Sequence, residues 1–199
     1  MNMLRRFGLF APLAALSLAG CGLNSVPTAD EQVNAAWGNL QAEYQRRSDL
    51  VPNLVATVKG YAQQEKTVLT DVTNARAKAS SVQLNANDLN DPAKVKAFQD
   101  AQNELGGSLG RLLVTVEAYP NLKSNENFLT LQSQLEGTEN EIRVGRRDYN
   151  EAVRQYNTLI RTFPSAIGAK VFYGAKPKVP FEATAGAQQA PPVNFNTAG

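Results

Sequence analysis

The residues of this 199-residue chain best placed to do chemistry are two glutamates and two arginines at helical spacing. Glu65 lies on an apolar stripe, and Arg76 follows eleven positions later, close to the same stripe. Glu139 and Arg146 are seven positions apart, so they too share a helix face. Two carboxylates held together could serve a hydrolase as acid and base. A helix seam offers no cleft, however, and neighbouring arginines would hold both acids ionised. The other chemistry open to this set is charge pairing, because a lone charge turned into a helical core is strongly destabilising. The expectation is an interhelical polar network of Glu65, Arg76, Glu139 and Arg146, with Arg47 pairing elsewhere, that fixes helix register. A polar pocket for a small ligand or ion is the alternative.

Composition narrows the choice. The chain has no histidine, which removes the commonest general base and the commonest metal ligand. Its one cysteine, Cys21, allows no internal disulfide and no cysteine-based zinc site. No phosphate-binding loop, dinucleotide fingerprint, nucleophile elbow or EF-hand pattern is present. No catalytic residue, metal or cofactor is expected, and the chain reads as a non-enzyme. Lys and Arg number 20 against 18 Asp and Glu, but Arg5 and Arg6 lie in a leader-like segment; without them the charges balance, and no nucleic acid partner is expected. Arg46, Arg47, Arg143, Arg146, Arg147 and Arg154 are interleaved with Asp49, Glu141, Asp148 and Glu151, so they read as solvated helix faces.

Cys21 carries a separate chemistry. A basic start ending at Arg6 precedes an apolar run, Phe7 to Leu18, and then Leu18-Ala19-Gly20-Cys21. The run is shorter than the roughly 20 apolar residues a spanning helix needs. Leu-Ala-Gly-Cys resembles the bacterial lipobox, whose cysteine thiol receives diacylglycerol with palmitate-type chains before cleavage. Residues 1–20 then form a lipoprotein signal peptide, and residues 21–29 a short lipidated tether. Two or more acyl chains give stable anchoring. Gly22 in place of Asp implies the outer membrane, so the expected location is its periplasmic face.

The elements that position the charged residues follow from periodicity. Val33, Trp37, Leu40, Tyr44, Arg47, Val51, Leu54, Val58, Tyr61, Glu65, Val68, Val72, Ala75, Ala79 and Val82 alternate spacings of four and three, a heptad seam. The phase runs through Pro52. Either one long helix kinks there, or Asp49 caps a second helix; the unbroken phase favours the first, a helix of about 50 residues spanning about 75 Å. Trp37 lies on the seam and reads as core. Residues 83–91 form an Asn/Asp-rich loop, and Asp91-Pro92 starts the next helix. Its glycines, Gly106, Gly107 and Gly110, suggest close helix approach. A third helix starts near Ser124 or Asn125 and stops before Pro164; on it Tyr149-Asn150 and Tyr156-Asn157 repeat one heptad apart, placing amides where they could bond across helices. Ser165 to Tyr173 suits a short helix. The fold class is all-α, an elongated antiparallel up-and-down bundle over residues 30–173. A Gly/Ala/Pro-rich tail, 174–199, follows, part of it packed as an extended flap and the rest disordered.

Two stretches carry a family resemblance. One is Tyr44-Gln-Arg-Arg-Ser-Asp-Leu-Val-Pro-Asn-Leu-Val-Ala-Thr-Val-Lys-Gly-Tyr61 with Glu65 and Ala75-Arg76-Ala77. The other runs through Glu126-Asn127-Phe128, Gln132, Thr138-Glu139-Asn140, Arg146-Arg147-Asp148-Tyr149-Asn150 and Tyr156-Asn157, with Pro164 and Pro192-Val193-Asn194-Phe195 beyond. Over about residues 30–199 the chain resembles the LemA family. The resemblance implies an all-α, membrane-attached protein without an established activity, in a family some of whose members are encoded near a membrane metalloprotease. Many members carry an amino-terminal transmembrane helix where this chain has a lipobox. The resulting expectation is an envelope scaffold or adaptor, held to the membrane by lipid on Cys21, with an unidentified envelope protein partner, a membrane protease among the candidates. A periplasmic helical bundle that binds a small ligand or lipid is the alternative.

Overall fold

The computed structural model describes residues 24–182; Cys21, the segment 1–20 and residues 183–199 lie outside them. Among the described residues six α-helices run in the order α1 (Ser25–Tyr61), α2 (Lys66–Ser81), α3 (Pro92–Val116), α4 (Pro120–Lys123), α5 (Glu126–Leu159) and α6 (Ser165–Val171), with a 3₁₀ turn at Ala86–Asp88. Among the described residues there is no strand, and the fold is all-α. The starts of α3 and α5 are chemically marked. The Asp91 carboxylate accepts from the backbone N–H of Ala93 and Lys94, with Pro92 at the first helical position. The Asn125 side chain accepts from Phe128 N. α1 begins at Ser25, so residues 25–29, expected in the tether, are its first turn and bury Val26 and Ala29. Pro27 is tolerated there because first-turn N–H groups have no helical acceptor.

α1 runs unbroken through Pro52 for 37 residues, about 55 Å. Pro52 lacks the N–H that would reach the Ser48 carbonyl one turn back. Arg76 of α2 supplies the missing donor, its Nε–H reaching Ser48 O at 2.8 Å. The expected helix of about 50 residues is nonetheless not formed. It ends at Tyr61, and residues 62–65 turn the chain back so that α2 lies antiparallel to α1. The seam is corrected with it: Ala62 and Leu69 are buried, whereas Tyr61 is 48% exposed and Val68 only partly covered.

α5 descends along α1, and α3 packs on α2. The register of α1 against α5 is set by Tyr61 with Asn125, Arg47 with Glu139, and Leu40 with Gly145. Two apolar cores result. One, built around Val51, Leu54, Val58, Leu105, Leu112 and Phe128, holds together α1, α2, α3 and α5, with Leu122 of α4 at its edge. The other contains Val33, Trp37, Leu40, Phe98, Tyr149 and Phe181. α2 stops at Ser81, above this second core, so a helical fourth side is missing there. Segment 82–91 and an extended strap, residues 174–182, close it, burying Leu84, Leu89 and Phe181. Part of the tail thus packs as a flap.

Close approach between helices falls at Gly145 rather than in the glycine group of α3. A Cβ at Gly145 would lie 3.2 Å from Leu40 Cδ1 and 3.5 Å from its Cα. At Gly106 it would meet the Arg47 guanidinium at 3.4 Å, and at Gly110 it would meet nothing within 4 Å. The expectation of close packing at all three α3 glycines is therefore corrected: Gly106 makes room for a side chain, and Gly110 faces open space.

Candidate functional site

The two cores part at a polar layer centred on Arg47. This side chain is 4% exposed and sits on the α1 seam because α3 and α5 both offer it acceptors. Its guanidinium donates to Glu139 Oε1 at 2.8 Å, to Gln102 Oε1 at 2.8 Å and to the Gln102 carbonyl at 2.9 Å. Its Nε has no partner among the described residues. The Gln102 amide in turn donates to Ala79 O, which ties α2 to the layer. Ser48 and Ser80 hydroxyls meet at 3.2 Å. Tyr44 stacks beneath the Arg47 guanidinium, 5.3 Å from ring centre to carbon. Burial raises the Tyr44 pKa above that of free tyrosine, and the nearby positive charges of Arg146 and Arg47 only partly offset it.

The four charged residues expected to form one network do not do so; they are distributed along the length of the bundle. Glu65 lies at the turn between α1 and α2 and accepts from Tyr119 Oη at 2.7 Å. Arg76 serves the Ser48 carbonyl. Glu139 pairs with Arg47, not with Arg146. Arg146 points to the strap, donating to Glu182 O at 2.6 Å with its guanidinium 5.6 Å from the Phe181 ring centre. The reason is geometric: residues seven apart on one helix share a face but not a partner, and each meets whatever the neighbouring element presents at its own level.

A second constellation, below the polar layer, is only half visible in the sequence. Three side-chain amides each grip one strap residue by both its N–H and its C=O. Asn150 donates to Phe181 O at 2.9 Å and accepts from Phe181 N at 2.8 Å. Asn157 does the same for Lys178, at 2.7 and 2.8 Å. Gln99 on α3 closes on Glu182 from the other side. The expectation that Asn150 and Asn157 bond across helices is corrected: they bond to the strap, because an amide one heptad below another faces the same groove. Tyr149 Oη donates to Val179 O, and Val179 N donates to Leu89 O. Burial pushes the Tyr149 phenol well above its usual range. Lys178 pairs with Asp30 at 2.9 Å, and Phe181 fills the aromatic cluster of Trp37, Phe98 and Tyr149. Trp37 is 3% exposed, a core residue as expected.

Little space opens beside the polar layer itself. A groove of about 190 Å³ beside the polar layer, lined by Tyr44, Gln45, Ser48, Ser80 and Gln102, is below the roughly 300–1,000 Å³ of small-molecule sites. A cleft of about 460 Å³ opens at the end of the bundle, between Val26, Asp30, Asn87, Tyr173 and Lys176. Among the described residues no group of three or more acids, cysteines or histidines could hold a metal ion, and no helix is long and apolar enough to cross a membrane.

Comparison with known proteins adds to this geometry. Residues 36–195 match the LemA family. Magnetosome protein MamQ 2 of Paramagnetospirillum magneticum is 28% identical over 157 residues, covering 71% of this chain and 58% of the relative. Magnetosome protein MamQ of Magnetospirillum gryphiswaldense is 26% identical over the same shares of each chain. Protein LemA of Metamycoplasma hominis is 26% identical over 140 residues, covering 70% of this chain and 60% of the relative. The chain thus spans about three-fifths of the length of the curated relatives it matches.

Proposed function

The chain belongs to the LemA family, and from that premise we propose that it is a membrane-anchored scaffold or adaptor of the cell envelope. Its anchor in this reading is lipid on Cys21, at the periplasmic face of the outer membrane. The bundle acts by binding an envelope protein through its exposed helix faces. One observation carries the reading: the acids that could have done chemistry are engaged within the chain, Glu139 with Arg47 and Glu65 with Tyr119. A carboxylate oxygen that accepts from a buried arginine is directed into the fold, which suits a structural tie better than a general base. Relatives named for the magnetosome, a cellular structure rather than a reaction, support the same reading.

The test is photocrosslinking in intact cells from exposed positions far from the strap, Val114 and Leu129. The expected result is one recurrent envelope protein, with a membrane protease among the candidates. Capture of nothing beyond what a lipid-anchored control protein captures would overturn the adaptor reading. Mass analysis of the amino-terminal peptide checks the anchor separately, since the expected species is Cys21 carrying acyl chains.

A further inference from the structure

One end of the bundle carries an apolar surface that the folded core does not use. Phe163 is 83% exposed, Val171 and Phe172 each 69%, and Ile167 58%, with Tyr173 beside them. The other exposed large hydrophobic residues among those described, Tyr61, Val114 and Leu129, are at or toward the opposite end. Four of the first group stand on or next to α6, a helix that buries only Gly168 and Ala169. A cluster of this kind rimmed by charge marks an interaction surface.

The charges around it have one sign. From Ala152 to Phe181 the sequence contains no Asp or Glu, but it contains Arg154, Arg161, Lys170, Lys176 and Lys178. Arg161, Lys170 and Lys176 are exposed, and none forms an ion pair among the described residues. Of the acids contributed by neighbouring elements, Asp30 is neutralised by Lys178 and Asp88 by Lys94, Asp91 is turned to the backbone N–H groups at the start of α3, and Glu31 is open.

The position of this surface is also informative. α1 and α5 run antiparallel, so the start of α1 lies beside the end of α5 and against α6. Val26, Tyr173 and Lys176 line the same cleft. Cys21 stands four residues before Ser25, so it lies within about 14 Å of the helix start even when the link is fully extended. Chain that leaves the structure here is too short to hold the apolar surface away from whatever Cys21 is attached to.

We propose that this end docks directly on an anionic lipid surface. Phe163, Ile167, Val171 and Phe172 enter the interfacial region, and Arg161, Lys170 and Lys176 meet lipid phosphates. Aromatic and aliphatic side chains ringed by lysine and arginine are the composition that binds such an interface, and each cation near an anionic leaflet adds to the attraction. The orientation follows: the long axis stands off the membrane, with Tyr61 and Asn125 at the far end. This deepens the anchored-scaffold reading and rests on it for the membrane's being at that end.

The experiment uses the full chain as isolated from its own membrane, reconstituted in phosphatidylethanolamine–phosphatidylglycerol vesicles. An environment-sensitive fluorophore is placed by Val171→Cys or, as control, Val114→Cys, and quenched by lipids with brominated chains. The expected result is about twofold or greater quenching at position 171 and none at 114, because interfacial side chains reach the headgroup–acyl boundary. Replacing the anionic lipid with phosphatidylcholine, or combining Arg161→Gln, Lys170→Gln and Lys176→Gln, should reduce quenching at 171. Equal lack of quenching at both positions overturns the proposal. So does a fluorophore at 171 that is shielded without vesicles and unquenched with them, since a second copy or the chain's own residues would then cover the surface. The acylation state of Cys21, read by mass on the same sample, separates the two ideas. Quenching without acylation removes the anchor and keeps the docking, and acylation without quenching does the reverse.

Discussion

Arg76 donates its Nε–H to the carbonyl of Ser48 at 2.8 Å, the carbonyl that Pro52 deprives of its helical donor. An arginine of α2 thereby allows α1 to continue past a proline. The general cost of an interior proline, about 3 kcal/mol, includes this lost hydrogen bond. Arg76→Met should lower stability by about 1–3 kcal/mol, the range for leaving a buried acceptor unsatisfied. In a Pro52→Ala background the same change should cost clearly less, because an alanine at that position restores the backbone donor. Chemical denaturation of the four proteins measures the coupling; equal costs in both backgrounds would refute the relationship.

The Arg47–Glu139 pair is asymmetric, with side chains 4% and 40% exposed. Arg47→Ala strips three acceptor contacts from a buried layer and should cost about 3–5 kcal/mol. Glu139→Gln leaves Arg47 bonded to Gln102, and the half-exposed carboxylate is screened by solvent, so about 1–2 kcal/mol is expected. A larger loss from Glu139→Gln than from Arg47→Ala, read from urea midpoints, would reverse this ranking.

The strap should be a separately opening unit. Asn150→Ala and Asn157→Ala each delete two hydrogen bonds to it, worth about 1–2 kcal/mol together at each site. Amide exchange of Lys178, Val179 and Phe181 should accelerate while α1 and α3 stay protected. Phe181→Ala, which empties an aromatic cluster, should cost about 3–5 kcal/mol and melt the second core first. Uniform acceleration through the whole bundle would show that the strap does not open independently.

Two glycines should respond in opposite senses. Gly110→Ala adds a Cβ where nothing lies within 4 Å, and should stabilise by up to about 1 kcal/mol through helix propensity. Gly145→Val drives a branched side chain against Leu40, and should destabilise by about 1–3 kcal/mol. Thermal melts of both variants decide it; stabilisation of both would mean that α1 and α5 have slack at that level.

Tyr149 and Tyr44 both ionise less readily folded than unfolded, because burial penalises the phenolate. An unfolded tyrosine loses its proton near about pH 10. Above that pH the folded state holds protons that the unfolded state releases, so stability present below about pH 10 is lost as the pH rises further. Melting temperature should hold from neutral pH to about pH 9 and then fall. Tyr149→Phe should flatten that fall, though it also loses the bond to Val179 O. An unchanged alkaline slope in this variant would exclude Tyr149 as its source.

Much of this protein was determined by local chemistry and is legible in the sequence. Asp91-Pro92 and Asn125 mark helix starts because caps act within three residues. The seam identifies Trp37, Leu40, Val51, Leu54 and Val58 as core because a helix repeats its face at fixed spacing. It also flags Arg47 as a charge that must find partners. The turn at residues 62–65 escaped the pattern because both arms of a helical hairpin bury a face, so apolar spacing continues across the reversal within a residue. Which partner each charge takes was decided only in three dimensions. Glu139 meets Arg47 across 92 positions, and Arg76 meets a backbone carbonyl that no side-chain pattern displays. The strap was expected only as a flap somewhere in the tail, and its course was hidden for a related reason. An extended segment held through its own N–H and C=O groups needs little of its side chains, so its sequence carries no periodic mark, and the spacing of Asn150 and Asn157 on the receiving helix is the one mark of where it is held.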